Sequence, residues 1–227
     1  MQLGTGGSVA AWFNPTAAII AGWTGRDEAS VSAHISELAE IGVAPPSTIP
    51  IYYRVSSALF TTEPCIQVVG SRSTGEAEPV LINMAGQIWL GLGSDHTDRE
   101  LETHSIALSK QACAKPVAGE FWPFSDVAGH LDRLELSAWI REDEDKPWQP
   151  YQEGGLAGIR PLDELAAGAP LNENGWPAPG TVMMCGTVPV QNGGIRPSRF
   201  FRMRLSDPVL GRWIEHEYET VSLPVVA

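Results

Sequence analysis

A chain of 227 residues, 43% of them hydrophobic, can bury a large core as one domain or as one domain with a small attachment. Its 27 acidic side chains against 15 basic ones leave a net charge of -12, which excludes a nucleic-acid surface and favours a small-molecule or metal partner. Three scattered cysteines, Cys65, Cys113 and Cys185, exclude a disulfide framework and a zinc knuckle and read as small buried hydrophobes. No apolar run approaches the ~18 residues of a membrane span, and "MQLGTGGSVAAWF" lacks the basic flank and apolar stretch of a signal peptide, so a soluble, cytoplasmic protein is expected.

The first expected element is a helix. In "GWTGRDEASVSAHISELAEIG", Thr24 and Asp27 have capping-box spacing, and Val31, Ile35, Leu38 and Ile41 recur at helical intervals before Gly42. Pro45 and Pro46 end it. Downstream, "IPIYYRVSSALF", "CIQVVG", "AEPVLINM", "QIWLGLG", "LELSAWI" and "GTVMMCGTVPV" are short, rich in β-branched or aromatic residues and divided by Gly, Pro and Ser, which marks strands. A second helix is expected over "RPLDELAAG", capped by Gly168. "REDEDKPWQPYQEGG" is charged and then rich in Pro and Gly, and reads as an exposed loop. The pattern implies a mainly β (α+β) protein: a small helix-bearing segment at 1–46, then a β domain at 47–227.

Chemistry concentrates where "QIWLGLG" runs into "GSDHTDRELE". If "EAEPVLINMAGQIWLGLGSD" is a hairpin, the two-residue repeat puts Glu76 and Glu78 on one face, about 7 Å apart along the strand. A turn centred on Met84 and Ala85 pairs Glu76 with Gly93, and Asp95, two residues on, shares that face. Three carboxylates so close repel one another unless a cation sits among them, and an all-oxygen set suits Mg²⁺, with Mn²⁺ or Ca²⁺ as alternatives. The bland alternative is a solvated, charged strand end.

Five segments, in order, resemble the fumarylacetoacetate hydrolase superfamily. "GSDHTDRELE" is similar to its "NDxSxRDxQ" stretch, with the match on Asp95, Thr97 and Arg99; "TGEAEPVLI" resembles its "E-x-E-L" strand. "SKQ" resembles its "GKS" segment at Lys110, "PAPGTVMMCGTVPV" its "L-x-PGD-x-I-x-x-GTP" stretch at Gly186 and Thr187, and "AHISELAEIG" its "H-x-x-E" lid helix at His34 and Glu37. Ser94 stands where the family has Asn, no proline follows Thr187, and the interval from Gly22 to His34 is longer than the family's, so the likeness is to an outlying, domain-of-unknown-function branch.

The resemblance implies a mixed β-sandwich or roll with few short helices, and a metal held by Glu76, Glu78 and Asp95. It implies a catalytic His34 oriented by Glu37, and a Lys110 that stabilises a developing enolate. Arg54, Thr97, Arg99, Gly186 and Thr187 become candidate substrate contacts, Arg54 because similar proteins carry a lysine there. The implied activity is hydrolase or lyase cleavage of a C–C bond in a small 2-oxo or β-dicarbonyl acid, with decarboxylation, hydration or isomerisation using the same parts, in a cytoplasmic homodimer without nucleic-acid or membrane partners. Two rivals compete: a non-haem iron oxygenase built on His96, Asp98 and a distant His216, and a non-catalytic, metal-stabilised binding module.

Overall fold

The computed structural model describes residues 1–4, 10–29, 31–32, 35–36, 45–191 and 193–226. Its frame is two packed sheets. The strands of the first are β1 (Ala17–Gly22), β2 (Ile51–Val55), β4 (Ala77–Met84), β5 (Gln87–Ser94), β6 (Trp122–Pro123) and β9 (Thr181–Met184), in the spatial order β6-β5-β4-β9-β1-β2. Those of the second are β3 (Cys65–Val69), β7 (Glu135–Arg141), β8 (Gln149–Gly155), β10 (Phe200–Asp207) and β11 (Arg212–Leu223), ordered β8-β7-β10-β11-β3. Neighbours are antiparallel except β9 with β1 and β11 with β3. This is the mainly β architecture that the sequence implies.

Strand alternation divides the first sheet into two apolar faces. Leu81, Leu90, Leu92 and Met183 point at Leu136, Phe201, Met203, Leu205 and Tyr218 of the second sheet and form the sandwich core. Val80, Ile82, Val182, Met184 and Ile20 point the other way, under Leu3, Phe13, Phe60, Val117 and Phe121. The sheet is therefore buried on both sides, which explains why β4 and β5 read as nearly continuous apolar runs.

Five expectations change. The β4–β5 hairpin turns at Ala85 and Gly86, both at positive φ (54° and 86°), as a two-residue turn whose twist suits the strands. Met84 accordingly pairs with Gln87 and Glu78 with Gly93, a register two residues from the expected one. An even shift preserves faces, so the three carboxylates still converge. The supposed loop 141–155 holds strand β8 in its second half, where Tyr151 and Gln152 are buried despite the surrounding Pro and Gly. Residues 17–22, expected to precede the β domain, lie inside its sheet between β9 and β2, so no unit boundary falls at residue 46. Asp27, not Thr24, caps the first helix: its Oδ1 accepts from the Ala29 N–H at 3.0 Å, and Thr24 is buried. Cys113 and Cys185 are buried as expected, whereas Cys65 is exposed. Leu162–Gly168 is helical as expected.

Candidate metal centre

Glu76, Glu78 and Asp95 meet at the open end of the β4–β5 hairpin, on the face away from the sandwich core. Each offers an oxygen within 4.8 Å of the others. Asp95 sits opposite Glu76, its N–H donating to the Glu76 carbonyl at 2.9 Å. Glu78 and Asp95 are buried, and Glu76 is largely so. Among the described residues no other cluster of three His, Cys, Asp or Glu side chains could hold an ion.

Cations surround these anions. Lys110, in the last turn of a short helix (Ile106–Ala112), pairs with Asp95 Oδ2, and its ammonium lies 5.7 Å from the centre of the Tyr53 ring. Lys115, fully buried, reaches Asp95 Oδ1 at 3.1 Å and donates to the His96 carbonyl at 2.5 Å. Arg99 bridges Glu76 (3.1 Å) and Glu102 (2.9 Å) and donates through Nε to Thr74 Oγ1 at 2.6 Å. Burial opposes ionisation of Asp95, but the two ammoniums outweigh it and hold its carboxyl well below the usual range. Burial also acts against the Lys110 cation, and Asp95, Glu76 and Glu78 reverse that, raising it above the ordinary lysine value. Lys115 is lowered, chiefly by burial. Glu78 is pushed well above its usual range, by burial first and by Asp95 next, although Lys110 and the Gly186 N–H favour its anion.

A divalent cation fits this donor set. Three carboxylate oxygens are a hard-oxygen site, and Glu78 is a buried acid whose anion lacks enough positive charge nearby. The Asp95 oxygens each keep a lone pair beyond those used by the lysines.

The other candidate residues divide sharply. Thr97 is buried and donates to the Asp95 carbonyl at 3.0 Å, so it holds the ligand loop. The guanidinium of Arg99 is occupied by Glu76 and Glu102, which makes it a positioning group for Glu76 rather than a free substrate contact. Gly186 donates its N–H to Glu78 Oε2 at 2.8 Å. It has φ 96°, and a Cβ there would lie 1.7 Å from Thr24 Oγ1, so glycine is required. Thr187 donates to the Ala77 carbonyl at 2.7 Å and accepts from Gln152 Nε2 at 2.7 Å. Arg54 is exposed, and its pairing with Ile19 puts it on the sheet face opposite the carboxylates, so the structure does not bring it to them. His34 and Glu37 lie outside the described residues.

The iron triad is not assembled. Both His96 nitrogens are engaged, Nδ1 with Tyr218 Oη and Nε2 with Ser73 Oγ, each at 2.9 Å. Burial, with Lys115 and Arg99, drives the His96 pKa down to about 3. Asp98 caps the helix Arg99–Glu102, accepting from the Glu100 and Leu101 amides.

Lys115, Gln152, Tyr53 and Tyr218 escaped the sequence reading. Only Lys115 carried a signal: a lone cation in the apolar run "ACAKPVAG". Two surface clefts, of about 600 Å³ beside Ser73 and Arg199 and about 410 Å³ beside Tyr52 and Arg160, are not lined by the carboxylates.

Solved structures share this fold. Cg1458 with inhibitor aligns at TM-score 0.64 and 16% identity, covering 93% of this chain and 78% of that one. 2-Keto-3-deoxy-D-arabinonate dehydratase complexed with magnesium and 2,5-dioxopentanoate aligns at 0.63 and 14%, covering 93% and 75%. 4-Oxalocrotonate decarboxylase from Pseudomonas putida G7, complexed with calcium and acetate, aligns at 0.54 and 15%, covering 90% and 77%. No curated protein matches the sequence. The fold is the one that these solved structures share, and it agrees with the fold that the sequence resemblance implies. The chain belongs to the family described as "Protein of unknown function (DUF2848)", whose model matches residues 21–218. No helix among the described residues is long and apolar enough to cross a membrane.

Proposed function

We propose that this chain is a divalent-metal-dependent hydrolase or lyase acting on a small 2-oxo or β-dicarbonyl acid, with Mg²⁺ as the first candidate ion and Mn²⁺ or Ca²⁺ as alternatives. The observation that carries the reading is the convergence of Glu76, Glu78 and Asp95 within 4.8 Å. The solved structures of similar fold that hold magnesium with 2,5-dioxopentanoate, and calcium with acetate, support it. Cytoplasmic location and assembly as a homodimer belong to the same proposal.

When bound, the ion supplies Lewis acidity towards adjacent substrate oxygens. The chain's own groups do the rest. Lys110 is the lysine with some remaining exposure, 7% against 0% for Lys115, and so is the cation that meets negative charge developing on the substrate. Lys115 and Thr97 hold Asp95, and Arg99 holds Glu76. His34, oriented by Glu37, is the proposed base that activates water.

Calorimetric titration with Mg²⁺ and Mn²⁺ tests the site. The wild type should bind, and Glu78→Gln and Asp95→Asn should lose measurable binding while staying folded. Oxalate, a planar dianion resembling an enolate, should then raise the Tm only when metal is present, and less in Lys110→Ala. Unchanged metal affinity in both carboxylate variants would rule the site out.

A further inference from the structure

Behind the carboxylates, between the two sheets, runs a buried line of polar side chains that the proposed chemistry does not use. The Glu76 N–H donates to Ser94 Oγ at 3.2 Å, Ser94 Oγ lies 2.8 Å from Tyr218 Oη, and Tyr218 Oη lies 2.9 Å from His96 Nδ1. His96 Nε2 then meets Ser73 Oγ at 2.9 Å. Ser94 is 0% exposed, Tyr218 1% and His96 1%, so none can turn to solvent for a partner.

That burial fixes which way the protons point. Ser94 already accepts from Glu76, and its hydroxyl proton needs an acceptor, which among the described residues only Tyr218 Oη supplies. Tyr218 must then donate to His96 Nδ1, leaving the His96 proton on Nε2 to be donated to Ser73. The reverse polarity would strand the Ser94 proton in the core at a cost of about 1–3 kcal/mol. Ser73 lines the larger surface cleft, where its own proton is free to find a partner.

We infer that Ser94, Tyr218, His96 and Ser73 form a one-way hydrogen-bond chain that positions the metal-binding carboxylates by fixing the Glu76 backbone. Glu76 lies just outside strand β4, with its carbonyl held by the Asp95 N–H and its own N–H held by Ser94. Anchoring both backbone groups sets the angle at which the Glu76 side chain meets Asp95. Gly75 makes the chain's approach feasible, since a Cβ there would lie 2.5 Å from Tyr218 Oη. These four are positioning residues, and His96, the most conspicuous histidine beside the site, acts from behind it.

The inference rests on the proposed metal site, and the test separates the two. Tyr218→Phe and Ser94→Ala should each weaken Mn²⁺ binding by about tenfold or more, as loss of a ligand's supporting partner does elsewhere. The double variant should be no weaker than the worse single, because both act through one chain. Leu205→Ala, in the same core but off the chain, should lower the Tm and leave Mn²⁺ affinity unchanged. Nitrogen-15 NMR of His96 should show the neutral form protonated at Nε2. Full Mn²⁺ affinity in a folded Tyr218→Phe, additive losses in the double variant, or a proton on Nδ1 overturns the inference alone. Failure of the wild type to bind Mn²⁺ overturns the metal reading and the positioning role with it.

Discussion

Lys115 offers the sharpest test of how the site is balanced. It has no exposed surface, its ammonium is 3.1 Å from Asp95 Oδ1 and 2.5 Å from the His96 carbonyl, and replacing it with Met keeps the stem's bulk while deleting the charge. Removing one partner of a buried ion pair costs about 3–5 kcal/mol, and the lower figure applies because the Asp95 carboxylate keeps Lys110 on Oδ2 and the Thr97 hydroxyl 3.4 Å from Oδ1. For a 227-residue chain each kcal/mol moves the Tm by roughly 2–4 °C, so Lys115→Met should melt about 6–12 °C lower in EDTA. A saturating divalent ion restores positive charge beside Asp95, and Thr97 and Lys110 preserve the ligand's placement, so the deficit should shrink in Mg²⁺. By reciprocity, Mg²⁺ should bind the variant more tightly than the wild type. Thermal melts in EDTA and across a Mg²⁺ series measure both quantities. An equal deficit with and without Mg²⁺, or a melting point unchanged in EDTA, refutes the idea that Lys115 and the ion serve the same carboxylate.

Two further outcomes concern His216 and Gly186. Burial lowers the pKa of His216 below the ordinary 6.5, so the unfolded chain binds more protons; stability is full above pH 6.5 and declines as the pH falls below it. Urea denaturation between pH 7.5 and 5 should show that decline reduced in His216→Gln, and an identical pH slope would count against it. Gly186→Ala, at φ 96° and against Thr24 Oγ1, should cost at least the roughly 1–3 kcal/mol of a strained backbone position, and a smaller loss in denaturant would mean that Thr24 yields easily.

The fold's centre was legible because its hairpin is locally encoded. "AEPVLINM" and "QIWLGLG" match β4 and most of β5, and the period of two kept Glu76, Glu78 and Asp95 on one face even when the register was misjudged by two residues. Strand β8 was not legible, because Pro150, Gly154 and Gly155 mask a pairing imposed by β7 across a bulge at Ala138 and Trp139. Strand β1, "AAIIAG", is too short and too rich in alanine to announce itself, and it takes its place through parallel pairing with a segment some 160 residues away. Lys115 and Tyr218 could not be tied to Asp95 and His96 for a related reason: their neighbours are set by sheet stacking and chain return, which spacing does not encode.

The charge in "GSDHTDRELE" separates, in three dimensions, into groups with different work. Asp95 faces the carboxylate cluster, whereas His96, one residue on, points to the opposite face and into the sandwich, as strand alternation requires. Asp98 is spent on capping a helix and Arg99 on bridging Glu76 to Glu102. Glu100 is exposed and His96, Asp98, Arg99 and Glu102 are engaged with other partners, which leaves Asp95 as the segment's one candidate ligand. Around it, Lys110, Lys115 and Arg99 bring three positive charges against four carboxylates, Glu76, Glu78, Asp95 and Glu102, one short of balance. On the proposed reading an arriving divalent ion leaves the site positive, and a substrate that restores the balance must itself be an anion. That argues for an acid, bound together with the metal, over a neutral carbonyl compound.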